Sequence, residues 1–235
     1  MTEPTPRLTP RQRSRLATIE EIKRVARVQL ASEGSAGLSL RAIARELGVV
    51  SSAVYRYVPS RDELLTLLIE ESYDALGATV ETAEGAVRRD DLLGRWMAAG
   101  RAVRGWALAH PADYALVYGS PVPGYHAPPE RTVGPATRVP SLLTVLLHDI
   151  EVAGAALPVG ELPPPRALLP DLKAISKQMD ATVAPELLAR GLAAWMALFG
   201  MVSFELFGQL HNVIDARDAH FEHQLRRLAL LIGLR

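Results

Sequence analysis

The sequence of 235 residues contains no cysteine, which excludes disulfide bonds, thiolate nucleophiles and thiolate metal sites. It also lacks a Gly-rich phosphate loop, a nucleophile motif and a pair of catalytic carboxylates, so its motifs give no indication of an enzyme. Neither the alternating apolar pattern of strands nor an internal repeat occurs. These absences predict an all-α protein that is not an enzyme.

Long apolar runs are missing as well. The longest uncharged apolar stretch, 191–204, is shorter than the roughly 20 residues that a membrane-spanning helix needs. Residues 1–15 are rich in Pro and Arg and hold no apolar run typical of a signal peptide. We therefore expect a soluble, cytoplasmic protein that has no membrane partner.

Histidines provide the only pattern that resembles a metal site. His220 and His223 lie three residues apart in a predicted helix, close to Asp218, so they share a helix face. Neither a cysteine nor a Glu-x-x-His pattern accompanies them. We predict that these histidines are solvated, and that the protein has no metal site and no cofactor.

The chain contains 49% hydrophobic and 22% charged residues, a composition typical of globular proteins. Its net charge is zero but unevenly distributed. Residues 1–64 hold 11 Lys and Arg against 7 Asp and Glu, whereas the remaining 171 residues hold 15 against 19. A basic N-terminal segment on a mildly acidic body fits a protein that meets phosphate with one face.

The most informative segment, 40–58, predicts two short helices joined by a tight turn. The inward positions of both helices are apolar: Ile43, Ala44 and Leu47 in the first, Val54 and Val58 in the second. Gly48 follows the first helix at once, where the turn needs a left-handed backbone, and Ser51 is expected to cap the second helix. This layout is typical of a helix-turn-helix, whose second helix enters the major groove of DNA.

Helical spacing and capping signals continue on both sides of this motif. A first helix is predicted over 18–32 with Thr18 as its cap, and a fourth helix follows Ser60 and runs past Thr79. Further helices are predicted C-terminal to residue 85, over 89–110, 111–118, 141–156, 185–210 and 217–234.

Proline marks the connections in the C-terminal half. Two Pro-rich segments, 121–140 and 158–170, are predicted to be loops. The expected organisation has three parts: a flexible basic arm (1–15), a three-helix DNA-binding domain with its helix-turn-helix (16–76), and a helical bundle for ligand binding and dimerisation (77–235).

The first four predicted helices resemble the DNA-binding domain of the TetR family of transcriptional regulators. The resemblance covers roughly residues 15–70 and is carried by the segments 38–44, 47–49 and 54–65. Three positions differ from the commonest family pattern but keep its physical character: Tyr57 in place of His, Val58 in place of Phe and Arg61 in place of Lys. The resemblance implies a sequence-specific regulator that binds double-stranded DNA.

The rest of the chain resembles, more loosely, an actinobacterial-type ligand-binding subgroup of that family. The segments that carry this likeness are 106–111, 118–119, 121–125, Trp195 and 204–208. The resemblance implies an all-helical dimer and does not name a ligand.

The second helix of the motif is predicted to meet DNA through its outward residues, Ser51, Ser52, Ala53, Tyr55, Arg56 and Tyr57. Small side chains at its start allow close approach to base edges, and Arg56 is suited to guanine or phosphate. By resemblance, Tyr55, Tyr57 and Arg61 are phosphate contacts that fix the register of the protein on DNA. The alternative is that both tyrosines pack and that Arg56 is solvated.

Two further groups of residues are candidates for contact with the DNA backbone. Arg41 and Ser39 are expected to clamp it together, the alternative being a surface charge and a plain helix cap. The arginines of the arm, Arg7, Arg11, Arg13 and Arg15, fit either phosphate or minor-groove contacts or a disordered tail.

The segment 185–210 is apolar on nearly all sides, and such a helix must be buried on several faces. A monomer achieves this only at the centre of its own bundle. Together with the resemblance, the pattern favours a homodimer whose four-helix interface is formed by 186–210 and 217–234 of both chains.

Several aromatic residues are candidates for the lining of a small-molecule cavity: Trp96, Tyr114, Tyr118, Trp195 and Phe199. Arg101 or His126 is the expected polar anchor. The alternative is that these aromatics belong to an ordinary core.

The leading hypothesis is a homodimeric repressor that a small-molecule effector, not identified by the sequence, releases from a near-palindromic operator. Two recognition helices would enter successive major grooves, roughly 34–36 Å apart. An effector in the C-terminal domain would tilt the fourth helix and so change this spacing. Two alternatives stay open: a DNA-binding regulator without a ligand, and a helical-bundle carrier or enzyme.

Overall fold

The computed structural model describes residues 9–154, 163–179 and 181–235. This part of the chain forms ten α-helices and no strand, which confirms the predicted all-α class. The helices are α1 (Pro10–Glu33), α2 (Leu40–Glu46), α3 (Ser51–Tyr55), α4 (Arg61–Gly85), α5 (Leu92–Ala109), α6 (Pro111–Tyr118), α7 (Pro129–Val152), α8 (Leu169–Gln178), α9 (Pro185–Leu206) and α10 (Arg217–Leu231).

Two apolar cores are joined by the long helix α4. Its N-terminal half contributes Leu64, Leu65 and Leu68 to a first core, which it forms with α1, α2 and α3. Its C-terminal half contributes Leu76 and Val80 to a second and larger core, together with α5 to α10. Because one continuous helix belongs to both cores, the boundary between them falls within α4, ahead of Leu76.

The first core also receives side chains from α6 and the segment that follows it. Val122 is buried there, and Leu116 and Tyr125 pack against the same core. The Tyr125 hydroxyl lies 2.9 Å from the hydroxyl of Thr66 on α4. The helical bundle and the helix-turn-helix region therefore share apolar surface, which fixes one against the other.

Helix α1 begins at Pro10, eight residues earlier than the sequence pattern predicts. The Thr9 side chain accepts from the Gln12 backbone, and the Gln12 side chain accepts from the Thr9 backbone, so the two form a capping box. Thr18, the predicted cap, is inside the helix and bonds the carbonyl of Ser14. Residues 10–15 of the predicted arm are thus helical, and residues 1–8 lie outside the described part of the chain.

Helix α7 passes through two prolines, which contradicts the loop predicted over 121–140. Proline removes a backbone hydrogen bond from a helix interior, so local propensity favours a break. Pro135 and Pro140 are nevertheless helical. Ion pairs with α4 and buried leucines hold α7 along its length, and this packing outweighs the two lost hydrogen bonds.

Helix α8 was not predicted, because it begins inside the second Pro-rich segment, 158–170. Pro170 lies in its first turn, where its missing N–H has no helical partner to lose. Leu172 of α8 is buried in the second core. Residues 155–162, which include the end of the predicted helix over 141–156, lie outside the described residues.

Helices α3, α9 and α10 end at Tyr55, Leu206 and Leu231, in each case at least three residues earlier than predicted. Helix α3 ends ahead of Pro59, which disfavours the helical conformation at the residue directly before it, Val58. Gly208 and Gly233 adopt left-handed conformations with φ of +83° and +90°, and they follow the ends of α9 and α10. Helix α9 is long and apolar enough to cross a membrane by length and composition, which is weak evidence for a membrane span when only one helix meets the test. Its inward residues, such as Leu188, Leu198 and Val202, are buried in the second core.

Candidate nucleic-acid interface and ligand domain

Local hydrogen bonds fix the turn between α2 and α3. The Ser39 hydroxyl accepts from the Ala42 N–H at 3.4 Å and caps α2. After α2, Gly48 has a φ of +67°, and the Val49 N–H donates to the carbonyl of Ala44 at 3.0 Å. This left-handed cap reverses the chain within a few residues, as the glycine predicted.

Helix α3 presents its polar side to solvent. Val54 and Val58 are buried, as predicted. Among the predicted DNA contacts, Ser52, Tyr55 and Arg56 are exposed, whereas Ser51, Ala53 and Tyr57 are half-buried. Ser51 is not the helix cap as predicted: Val50 occupies that position without a side-chain hydrogen bond, and Ser51 is the first helical residue.

Three arginines around α2 and α3 are exposed and have no ion pair among the described residues: Arg41, Arg45 and Arg56. All N–H donors of these guanidinium groups are therefore available to bind phosphate or guanine. Arg45 is not among the predicted DNA contacts. It follows Arg41 by four residues, which places both on the same side of α2, and this spacing was the signal available.

Arg61 and Tyr57 are engaged within the protein. Arg61 donates from Nη2 to the carbonyl of Ser35 at 2.7 Å, which holds the start of α4 against the turn before α2. The guanidinium of Arg15 lies 5.6 Å from the centroid of the Tyr57 ring, a cation–π contact. The extension of α1 therefore brings Arg15, expected in a flexible arm, beside α3.

An ion network joins α1 to α4 and α6. Lys23 of α1 is buried and contacts Glu71 of α4. Arg27 donates to Glu71 at 2.8 Å and to Asp113 of α6 at 3.0 Å. Burial raises the pKa of Glu71, but hydrogen bonds from Lys23 and Arg27 outweigh burial and lower it. The charges are thus stabilised only while the three helices remain together.

Two arginines of α7 form a ladder with α4. Their partners are carboxylates along one side of α4: Glu63 and Glu70 for Arg131, Asp74 and Glu81 for Arg138. The nitrogen–oxygen distances lie between 2.6 and 2.9 Å. A Cβ at Gly77 would lie within 2.9 Å of the Arg138 side chain, so glycine is required for this close approach. The ladder connects the bundle to the start of α4.

Four of the predicted ligand residues form one aromatic cluster. Tyr118 lies between Phe199 and Tyr114, with centroid distances of 4.4 and 5.1 Å, and Trp195 lies 5.7 Å from Phe199. The Tyr114 hydroxyl donates to the carbonyl of Phe199 at 3.0 Å. Burial raises the pKa of Tyr114. Tyr73 of α4 contacts the cluster edge-on through Tyr118, at 5.9 Å.

The other predicted ligand residues lie elsewhere. Trp96 donates from Nε1 to the carbonyl of Leu225 at 2.9 Å within the core. Arg101 pairs with Glu222 at 2.6 Å at the surface, and His126 is exposed in the segment before α7. The structure therefore does not gather all seven predicted residues around one site. In the described part of the chain, no group of three His, Asp or Glu residues is arranged to hold a metal.

The outward side of α9 is an apolar stripe. Its exposed members are Ala193, Met196 and Phe204, and the exposed Phe207 directly follows the helix. Met196 and Phe204 are 59% and 57% exposed, which is unusual for large apolar side chains in a row. On the neighbouring α10, Leu230 is also exposed. This stripe has no covering element among the described residues.

Family models match both parts of the chain. Residues 22–68 match the model described as bacterial regulatory proteins of the tetR family, and residues 96–228 match the tetracyclin repressor-like C-terminal domain.

Individual proteins show the same similarity. The HTH-type transcriptional regulator Rv1816 of Mycobacterium tuberculosis is 42% identical over 217 residues, which cover 91% of each chain. The HTH-type transcriptional repressor DrrR1 of Streptomyces coeruleorubidus is 50% identical over 46 residues, 19% of this chain and 17% of its own. The solved structure of the regulatory protein SCO4313 is 33% identical, with a TM-score of 0.76 over 94% of this chain and 98% of that one.

Proposed function

The chain belongs to the TetR family of DNA-binding transcriptional regulators, and we propose that it acts in the cytoplasm as a homodimeric repressor that a small molecule releases from its operator. The observation that carries the DNA-binding role is the group of exposed, unpaired arginines around α3: Arg41, Arg45 and Arg56. The likeness to DrrR1, which is named a repressor, supports repression.

We assign distinct roles to the residues of the interface. In the proposed complex α3 enters the major groove, with Ser51, Ser52 and Ala53 close to the bases. Arg56 reads a base edge, while Tyr55 contacts phosphate. On α2, Arg41, Arg45 and the capping residue Ser39 follow the backbone of the DNA.

Arg61 and Tyr57 have a supporting role in this proposal. Arg61 is bound to the carbonyl of Ser35 and holds α4 in position. The ring of Tyr57 holds the guanidinium of Arg15 in a cation–π contact, and in the proposed complex this places a further positive charge near the phosphates. Residues 1–8, with Arg7, are outside the described structure and stay a separate hypothesis.

The apolar stripe of α9 supports the homodimer. A second copy related by a two-fold axis would bury Met196 and Phe204 against the same stripe of its own α9, with α10 completing the interface. This assignment agrees with the interface predicted over 186–210 and 217–234. Dimerisation is needed because two recognition helices must fit two half-sites one helical turn apart.

The continuous helix α4 supports ligand control. It contributes residues to both cores, and Arg131 and Arg138 of α7 form ion pairs with its carboxylates. A movement of the bundle would therefore be transmitted to the start of α4, directly after α3. A coupling of about 1–3 kcal/mol is enough to change DNA affinity 5- to 150-fold.

Fluorescence anisotropy with the DNA upstream of the chain's own gene tests the DNA-binding role. We expect wild-type protein to bind this DNA at least roughly 1,000-fold more tightly than random DNA. Arg56→Ala should weaken binding by roughly 10- to 100-fold, as for the loss of one base contact. Arg88→Ala, at an exposed site before α5, is the matched control and should bind as wild type. Equal affinity of the wild type for specific and random DNA would contradict the proposal.

A further inference from the structure

A cavity of about 220 Å³ lies between α7, α8 and α9. Buried leucines form much of its wall, including Leu143 and Leu147 from α7 and Leu188 from α9. The ring of Trp195 borders it, and Ile175 lines it from α8. Trp195 is the one member of the predicted ligand residues that reaches this cavity.

The polar groups of the lining are few. Its described residues include no charged side chain. The Thr144 hydroxyl donates to the carbonyl of Pro140 at 2.8 Å and is already satisfied. Nε1 of Trp195 is shielded from solvent and has no acceptor among the described residues. Because a buried water needs roughly two to four polar partners, this lining favours an apolar guest over water.

Size and shape narrow the class of guest further. An apolar cavity of about 150 Å³ accommodates benzene, whereas pockets for drug-sized ligands begin near about 300 Å³. The indole of Trp195 favours an aromatic ring, and the absence of a counter-charge in the described lining disfavours a carboxylate. We propose that this cavity is the effector site and that it binds a compact, uncharged aromatic molecule with a short apolar substituent.

The helices on both sides of the cavity, α7 and α9, are connected to α4 through side-chain contacts. Leu143 and Leu147 stand on the helix whose N-terminal half carries Arg131 and Arg138. From the other wall, Trp195 connects to α4 through a chain of aromatic contacts, Phe199, Tyr118 and Tyr73. A guest that separates α7 from α9 therefore acts on the helix that positions α3. This regulatory role rests on the proposed function, whereas binding in the cavity does not.

NMR spectroscopy of the full-length protein, labelled with ¹⁵N-tryptophan and titrated with propylbenzene, tests binding. We expect a saturable shift of the Trp195 indole signal, assigned with Trp195→Phe. The Trp96 signal, which belongs to an indole already bonded to Leu225, serves as the internal reference. Benzoate, a charged ring of similar size, should cause no shift. An unmoved Trp195 signal, or equal binding of benzoate, overturns the proposal.

A cavity-filling variant localises the effect. Thr144→Leu enlarges the side chain inside the cavity, and we expect it to weaken propylbenzene binding at least tenfold. Thr137→Leu is the control, because Thr137 is on the same helix, bonds its own helix in the same way and lies outside the cavity. If Thr144→Leu does not fold, Ile175→Phe on the α8 side replaces it. If the cavity-filling variant binds propylbenzene as tightly as the wild type, this result contradicts the assignment of the binding site to this cavity.

Operator affinity measured at saturating propylbenzene tests the regulatory part. We expect at least a fivefold loss of affinity in wild type and in Thr137→Leu, and none in Thr144→Leu. Propylbenzene binding with unchanged operator affinity would overturn the assignment as the effector site. Failure of the free protein to bind DNA is recorded separately and concerns the proposed function, since the NMR titration contains no DNA.

Discussion

Arg131 of α7 donates to both carboxylate oxygens of Glu63, at 2.9 Å each, and Glu63 lies in the first turn of α4. The backbone N–H of Glu63 is also bound by the Ser60 hydroxyl at 3.0 Å, which caps the same turn. Glu70 completes the partners of Arg131, and its hydrogen bond raises the pKa of that guanidinium. One side chain of the C-terminal helical bundle is thus attached where the helix-turn-helix region ends.

Removal of this guanidinium should loosen the start of α4. We expect Arg131→Gln to fold and to reduce amide hydrogen-exchange protection in residues 61–70 by roughly fivefold, consistent with about 1 kcal/mol for a partly exposed network. Protection in α10 should not change. Arg101→Gln, which removes a two-bond ion pair between α5 and α10 and touches no residue of the ladder, is the control. Unaltered exchange in residues 61–70 would show that the ladder does not hold this turn.

A charge placed in the α9 stripe should separate the proposed dimer. We expect Phe204→Asp to raise the dimer dissociation constant by roughly 30-fold or more, because an unpaired carboxylate would be buried at the centre of the interface. Sedimentation velocity over a range of concentrations measures the shift. Leu108→Asp, at an exposed apolar residue of α5, is the matched control and should stay dimeric. A monomeric wild type would refute the proposed interface.

Arg95 is fully buried and bonds Glu84 of α4 and, at 2.7 Å, Asp149 of α7. We expect Arg95→Met to lower the free energy of unfolding by about 3 kcal/mol, because Glu84 keeps a buried charge with a weakened set of partners. Urea denaturation measures this loss.

Two variants make the Arg95 experiment specific. Arg101→Met removes an exposed ion pair and should cost less than about 1 kcal/mol. Adding Glu84→Leu to Arg95→Met should restore part of the lost stability, since the uncompensated carboxylate is then gone. If the double variant is less stable than Arg95→Met alone, the uncompensated carboxylate of Glu84 is not the cause of the stability loss in Arg95→Met.

Glu71 should make stability dependent on acid pH. Its pKa is lowered in the folded protein, because hydrogen bonds from Lys23 and Arg27 outweigh the opposing effect of burial. A carboxyl group with a lowered pKa contributes stability above its unfolded pKa of about 4.3, and this contribution is lost as the pH falls through the folded pKa. We expect Glu71→Gln to be less stable than the wild type at pH 7. When the pH is lowered below about 4, the variant should lose less of its free energy of unfolding than the wild type does.

Urea midpoints between neutral and acid pH measure the Glu71 effect. Glu130→Gln, at an exposed residue that has no ion pair among the described residues, should follow the wild-type profile. A Glu71→Gln profile parallel to that of the wild type over the whole range would exclude Glu71 as a source of the acid dependence.

The sequence by itself determined the helix-turn-helix and the capped start of α4. Gly48 specifies a left-handed turn, Ser39 and Ser60 accept the first free N–H groups of α2 and α4, and Val54 marks the inward side of α3. Each of these signals acts between residues close together in the chain. Local rules of backbone conformation and capping are therefore sufficient to predict them.

Tertiary structure alone decided which side chains remain available and how far the helices extend. Pro135 and Pro140 indicate a loop locally, yet α7 is helical through both because it packs along α4. Arg61 and Arg101 have the same charge as Arg56, but of these three only Arg56 has no partner among the described residues. The partners, Ser35 and Glu222, are 26 and 121 residues away. Local sequence patterns contain no information about such distant contacts, so only packing could separate the candidate DNA contact from the structural arginines.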